Sequence, residues 1–97
     1  MTLSRKQIKY LKALAHHKKP VVTIGNRGVS PSVLEEVRIS INHHELIKIK
    51  LPALDKVERQ ALSQSMCESL GAEFVALTGR VLILFLQSPE TQFSLPD

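Results

Sequence analysis

The sequence predicts a single α/β domain built in the order α-β-α-β-α-β-β around a small four-stranded mixed sheet, with helices laid on the sheet in a two-layer-type arrangement. Three observations lead there. Apolar residues recur at three- and four-residue spacing in three stretches, each preceded by a capping residue. Four short β-branched or apolar runs alternate with those stretches or follow them. The chain has 97 residues, of which 43% are hydrophobic, enough for one core and too few for a second domain. The domain spans 1–97, with 87–97 read as an irregular tail.

Ser4 is a cap for a first helix running to about His16, with Ile8, Leu11, Leu14 and Ala15 as its buried stripe. Arg5, Lys6, Lys9 and Lys12 fall on other faces and make a basic ridge. His16, His17, Lys18 and Lys19 form a connector that Pro20 ends. Val21 to Ile24 reads as a short strand largely covered on both faces. Next comes Gly25-Asn26-Arg27-Gly28, a loop freed at both ends from Cβ sterics, so that it can turn sharply and lie against another backbone. Ser30 and Pro31 then start a second helix that reaches about His43 and buries Val33, Leu34, Val37 and Ile41. A helix start beside a glycine loop carrying Arg27 is a seat suited to phosphate, although G-x-x-G also occurs in ordinary strand-to-helix turns.

From Leu46 to Leu51 the pattern alternates, with Ile47, Ile49 and Leu51 on one face and Leu46, Lys48 and Lys50 on the other. Beyond Pro52, Asp55 and Glu58 form an acidic variant of the capping box for a third helix reaching Leu70. Its expected buried positions are Val57, Ala61, Leu62, Met66 and Leu70, and Gly71 suits a left-handed C-terminal cap. Two final runs, Glu73 to Thr78 and Val81 to Leu86, flank Gly79-Arg80 as a hairpin. Every position of Val81 to Leu86 is apolar, which places that strand centrally with cover on both sides. Phe93 and Leu95 are candidates to pin the tail to the body.

Charge is unevenly distributed. Through Lys50 there are ten Lys or Arg against three acids, a balance of +7; the remainder has three basic and six acidic side chains, a balance of −3. Such a one-sided basic field attracts polyanions. The lone cysteine, Cys67, falls on a buried stripe, and cysteine usage with no leader-like apolar stretch gives the expectation of a soluble cytoplasmic protein. Neither His pair has metal-ligand spacing, and there is no nucleophile elbow or paired-carboxylate pattern, so neither enzyme activity nor a metal, cofactor or small-molecule substrate is expected.

Lys19-Pro20-Val21-Val22-Thr23-Ile24-Gly25-Asn26-Arg27-Gly28-Val29, followed by His44-Glu45-Leu46-Ile47-Lys48-Ile49-Lys50, resembles the CRM domain, named for chloroplast RNA splicing and ribosome maturation, and most closely its stand-alone bacterial YhbY-type form. The likeness covers nearly the whole chain. It implies a mixed sheet of order 1-2-4-3, similar to the C-terminal domain of translation initiation factor three. It further implies RNA binding, in bacteria at the precursor of the large ribosomal subunit, through a glycine loop likened to the KH-domain loop that clamps nucleic-acid backbone. Gly25 and Gly28 match the loop glycines. Many relatives carry Lys where this chain has Asn26, leaving Arg27 as the one cation at the tip.

The candidate RNA-binding residues are therefore Gly25, Asn26, Arg27 and Gly28, surrounded by Lys6, Lys9, Lys12, Lys18, Lys19, Lys48 and Lys50. Only Tyr10, Phe74, Phe85 and Phe93 are aromatic, which favours recognition of backbone and shape over base stacking. The expected partner is rRNA of the large-subunit precursor, bound by a monomer. A protein-interaction module meeting an acidic protein partner shares the charge evidence and stands as the alternative.

Overall fold

A computed structural model describes residues 2–91 and 94–97. Its elements are α1 (Arg5–Ala15), β1 (Val22–Thr23), α2 (Pro31–His44), β2 (Leu46–Lys50), α3 (Lys56–Leu70), β3 (Glu73–Thr78) and β4 (Val81–Phe85), in the expected order. The sheet has the order β1-β2-β4-β3. β1 is parallel to β2, and β4 is antiparallel to both its neighbours, β2 and β3. The last strand is thus inserted between its predecessors, and Leu82, Ile83, Leu84 and Phe85 are all buried, as a strand covered on both faces requires.

Each helix begins where its cap predicts. Ser4 and Gln7 form a reciprocal capping box, Ser30 Oγ accepts from the Val33 amide at 3.2 Å, and Asp55 Oδ1 accepts from the Glu58 amide at 2.8 Å. That amide, followed by the Glu58 side chain, holds the Asp55 carboxyl below its usual range. Gly71 ends α3 in the left-handed region at φ 67°, and the Ala72 amide returns to Cys67 O at 2.9 Å.

Side chains of the sheet sort into two cores. Ile47, Ile49, Leu82 and Leu84 meet Val37 and Ile41 of α2 and Met66 and Leu70 of α3 on one face. Leu46, Val75, Ile83 and Phe85 meet Leu11 and Ala15 of α1 on the other. The two-layer pairing of sheet with α2 and α3 is therefore joined by α1 as partial cover on the opposite face. Leu95 packs into the α1 core, and Pro96 O accepts from Gln7 Nε2 at 3.0 Å, so the tail is pinned there. Phe93 lies outside the described residues.

Three burial expectations are corrected. Leu14 is 37% exposed because α1 covers only part of its face and turns its edge to solvent. The β1 segment is covered on one face alone: Val22 and Ile24 are buried while Val21 is 40% exposed and Thr23 is open, because β1 is an edge strand that α1 does not reach. In α3, Val57 is 79% exposed and Ala61 is also exposed. Met66, Cys67 and Leu70 set the phase of that helix, and stepping back by three and four residues from them reaches Ser63, not Ala61. Ser63 is tolerated in the core because its hydroxyl donates to Arg59 O at 2.8 Å within the same helix.

Candidate nucleic-acid interface

The glycine loop is held firmly at both ends and open in the middle. Before it, the Ile24 amide donates to Lys50 O at 2.8 Å and the Ile24 side chain is buried. After it, Val29 packs against the α2/α3 core and Ser30 caps α2. The Gly28 amide donates to Gly25 O at 3.0 Å, closing a four-residue turn with Asn26 and Arg27 exposed at its two central positions. Gly28 sits at φ 81°, which explains its identity by backbone conformation.

Gly25 differs. It is not among the positive-φ residues, and a Cβ built on it meets nothing within 4 Å. Neither the turn nor the packing demands glycine there, and the close approach to another backbone expected of the loop is not made among the described residues.

The candidate lysines separate by position. In the parallel β1–β2 register, Thr23 pairs with Lys50, so Lys50 lies two residues from Gly25 on the adjoining strand and is exposed. Strand alternation puts Lys48 and Lys50 on the same sheet face as Leu46, which is the face α1 covers. Lys48 Nζ donates to His16 O at 3.3 Å, a cation at the C-terminal end of α1. Lys6, Lys9 and Lys12 are exposed on the outer faces of α1. They share a side of the sheet with Lys48 and Lys50.

Lys18 and Lys19 precede β1 and so stand at the end of the sheet opposite the loop. Lys18 lines a cavity of about 420 Å³ with Asn42, His43, His44, Glu45, Ser88 and Glu90. These two are not brought to the glycine loop.

The two sides of the sheet differ in charge. No Asp or Glu precedes Glu35, so α1, the connector, β1 and the loop carry cations alone. On the other side the charges are mixed: α2 brings Glu35 and Glu36 with Arg38, and α3 with its cap brings Asp55, Glu58 and Glu68 with Lys56 and Arg59. Arg38 there pairs with Glu35 at 3.5 Å.

Two residues escaped the sequence reading. Glu45, buried at the junction of α2 and β2, stood in the sequence only as a member of the His44–Lys50 motif. Arg80 was legible only as a turn residue. The central placement of β4 is the signal that locates it, because the register Lys50↔Val81 sets Arg80 beside the end of β2. Cys67 is buried as expected, and burial, then the charge of Glu73, pushes its thiol up to about 11. Among the described residues no cluster of His, Cys, Asp or Glu is arranged to hold a metal ion, and no helix is long and apolar enough to cross a membrane.

Residues 3–85 match the CRS1 / YhbY (CRM) domain. An RNA-binding protein of Haemophilus influenzae is 40% identical over 95 residues, covering 98% of this chain and 96% of its own. A Pseudomonas aeruginosa protein named a probable RNA-binding protein is 32% identical over 97 residues, covering 100% of this chain and 93% of its own. The solution structure of a Staphylococcus aureus protein superposes with a TM-score of 0.86 at 25% identity, covering 98% of this chain and 100% of that one.

Proposed function

The chain belongs to the CRS1 / YhbY (CRM) domain family, and from that premise we propose that it is a non-catalytic RNA-binding protein that serves as an accessory factor in assembly of the large ribosomal subunit. In this reading the amides of the Gly25–Gly28 turn and the Arg27 guanidinium hold phosphates, Lys50 and Lys48 extend the contact onto the sheet, and Lys6, Lys9 and Lys12 supply the surrounding field. Lys18 and Lys19 add to that field from the far end. The protein acts as a cytoplasmic monomer on rRNA of the precursor subunit.

The observation that carries the reading is Gly25. A glycine that the fold itself does not require, in an exposed turn beside an exposed lysine, fits a site where an outside backbone comes within van der Waals distance. The cationic side of the sheet supports the same partner, since a phosphodiester chain is the commonest extended polyanion a cell presents to such a surface.

Binding of labelled large-subunit rRNA fragments by the wild type and by the double variant Gly25→Asp, Arg27→Glu tests it. A Cβ at Gly25 meets nothing within 4 Å and Arg27 is exposed, so the melting temperature is expected to hold while RNA affinity falls tenfold or more, in order of magnitude, from lost charge-assisted contacts. Unchanged RNA affinity in that variant would favour the other reading, a module for an acidic protein partner. Crosslinking in cells, with the RNA positions mapped, locates the site on the ribosome.

A further inference from the structure

We propose that Arg80, at the tip of the β3–β4 hairpin, is a second phosphate clamp, so that a single RNA strand crosses the end of the sheet from the glycine loop over Lys50 to the hairpin. This rests on the RNA-binding reading above and adds a residue and a path to it.

Arg80 is exposed yet held. The Leu51 amide donates to Arg80 O at 2.6 Å, and Arg80 Nε donates back to Leu51 O at 2.9 Å. The guanidinium is thus anchored to the end of β2 through one nitrogen, which reduces the rotamer freedom lost when the rest of the fork meets a ligand. Among the described residues no carboxylate pairs with it. An arginine whose carbonyl contact fixes its direction while its charge goes unmatched is arranged for an anion from outside.

Its place in the sheet gives the path. Ile24, next to Gly25, bonds to Lys50; Leu51 follows Lys50 and bonds to Arg80. The glycine loop, the end of β2 and the hairpin tip therefore stand side by side at one end of three adjacent strands. Neighbouring strands lie about 5 Å apart, so the outer two are separated by roughly 10 Å. Arg27, Lys50 and Arg80 come from adjacent positions across that end and supply a row of cations there, while Tyr10, Phe74 and Phe85 pack into the two cores. A row of this kind reads successive phosphates and leaves the bases unread.

The test uses the full chain and single-stranded oligouridine of graded length, with affinity measured against salt for Arg80→Gln, Arg27→Gln and the double variant. Arg80→Gln is expected to weaken binding about three- to tenfold and to flatten the log K against log salt slope by about 0.7, the share of one single-strand phosphate contact. The double variant should show both losses. Arg80→Lys keeps the charge without the Nε bond and is expected to retain the slope. If Arg27→Gln weakens binding while Arg80→Gln leaves affinity and slope at wild-type values, the clamp is refuted and the glycine-loop reading stands. If neither variant changes binding, that reading falls and the clamp with it. A slope in Arg80→Lys as flat as in Arg80→Gln would assign the effect to the hairpin's structure and also overturn the clamp.

Discussion

Glu45 Oε1 accepts two hydrogen bonds from one residue, from Ser88 Oγ at 2.6 Å and from the Ser88 amide at 3.0 Å. Its Oε2 accepts from Thr91 Oγ1 at 2.9 Å, and its own carbonyl takes the Leu86 amide at 2.9 Å. Glu45 also has a positive φ of 64°, uncommon for a residue with a side chain. One buried carboxylate therefore fastens the chain after β4 to the junction of α2 and β2, and the backbone strain at that junction is accepted because the surroundings fix it.

Removing that carboxylate takes the acceptor from the half-buried Ser88 amide and hydroxyl. Glu45→Ala is expected to cost about 2–4 kcal/mol, because hydrogen bonds to a charged group are worth about 1.5–3 kcal/mol and orphaned donors add a desolvation penalty. Ser88→Ala removes only the hydroxyl and should cost about 1 kcal/mol. Urea melts of both variants check the ranking. A Glu45→Ala midpoint equal to wild type would show that the tail contributes nothing to the cooperative fold.

The glycines divide into those the backbone needs and one it does not. Gly28→Ala and Gly71→Ala place a Cβ at φ 81° and 67°, and each is expected to destabilise by about 1 kcal/mol. Gly25→Ala should change stability by less than about 0.5 kcal/mol, since neither conformation nor contact opposes it. Thermal melts of the three variants separate the groups. A large loss for Gly25→Ala would remove the observation on which the proposed function chiefly depends.

Much of this was legible from the residues, and the limits have physical causes. Caps named the helix starts because Ser4, Ser30 and Asp55 act on amides within three residues of themselves. The fully apolar run at Val81 announced a central strand because both of its faces are buried. What sequence spacing did not give was partial cover: Leu14, Val21 and Val57 are apolar and open because α1 is short, β1 is an edge and α3 is phased by its C-terminal half. Nor did it give contacts made across the chain, such as Glu45 with Ser88, or Arg80 with Leu51. Within the site, the loop was visible as a motif, while the division of its lysines between the two ends of the sheet follows only from register.

Cys67 provides a test against pH. Its thiol is pushed up to about 11 by burial and then by the Glu73 carboxylate, so the folded state holds the proton more tightly than the unfolded chain does. Between about pH 9 and 11 the unfolded chain binds fewer protons at this group, so the thiol's contribution to stability is full below that window and declines through it. Native protein should therefore resist iodoacetamide at pH 8 and react once unfolded in urea. Rapid labelling of the native state at that pH would contradict the burial of the thiol.

Position along the sheet predicts how lysine substitutions rank in RNA binding. Lys50 adjoins Gly25 through the Thr23 register, whereas Lys18 lies at the opposite end beside Glu45 and Glu90. Lys50→Gln should flatten the salt slope by about 0.7 for a single strand, the full share of one contact. Lys18→Gln acts only through the screened field, which decays over about 10 Å at 0.1 M ionic strength, so its effects on both affinity and slope should be a small fraction of those of Lys50→Gln. Lys48→Gln removes a bond to the last turn of α1 and should be felt more in the melt than in binding. Anisotropy titrations over a range of salt resolve the three cases. If Lys18→Gln flattens the slope as much as Lys50→Gln does, the RNA runs along the strands toward the connector and does not cross the end of the sheet beside the glycine turn.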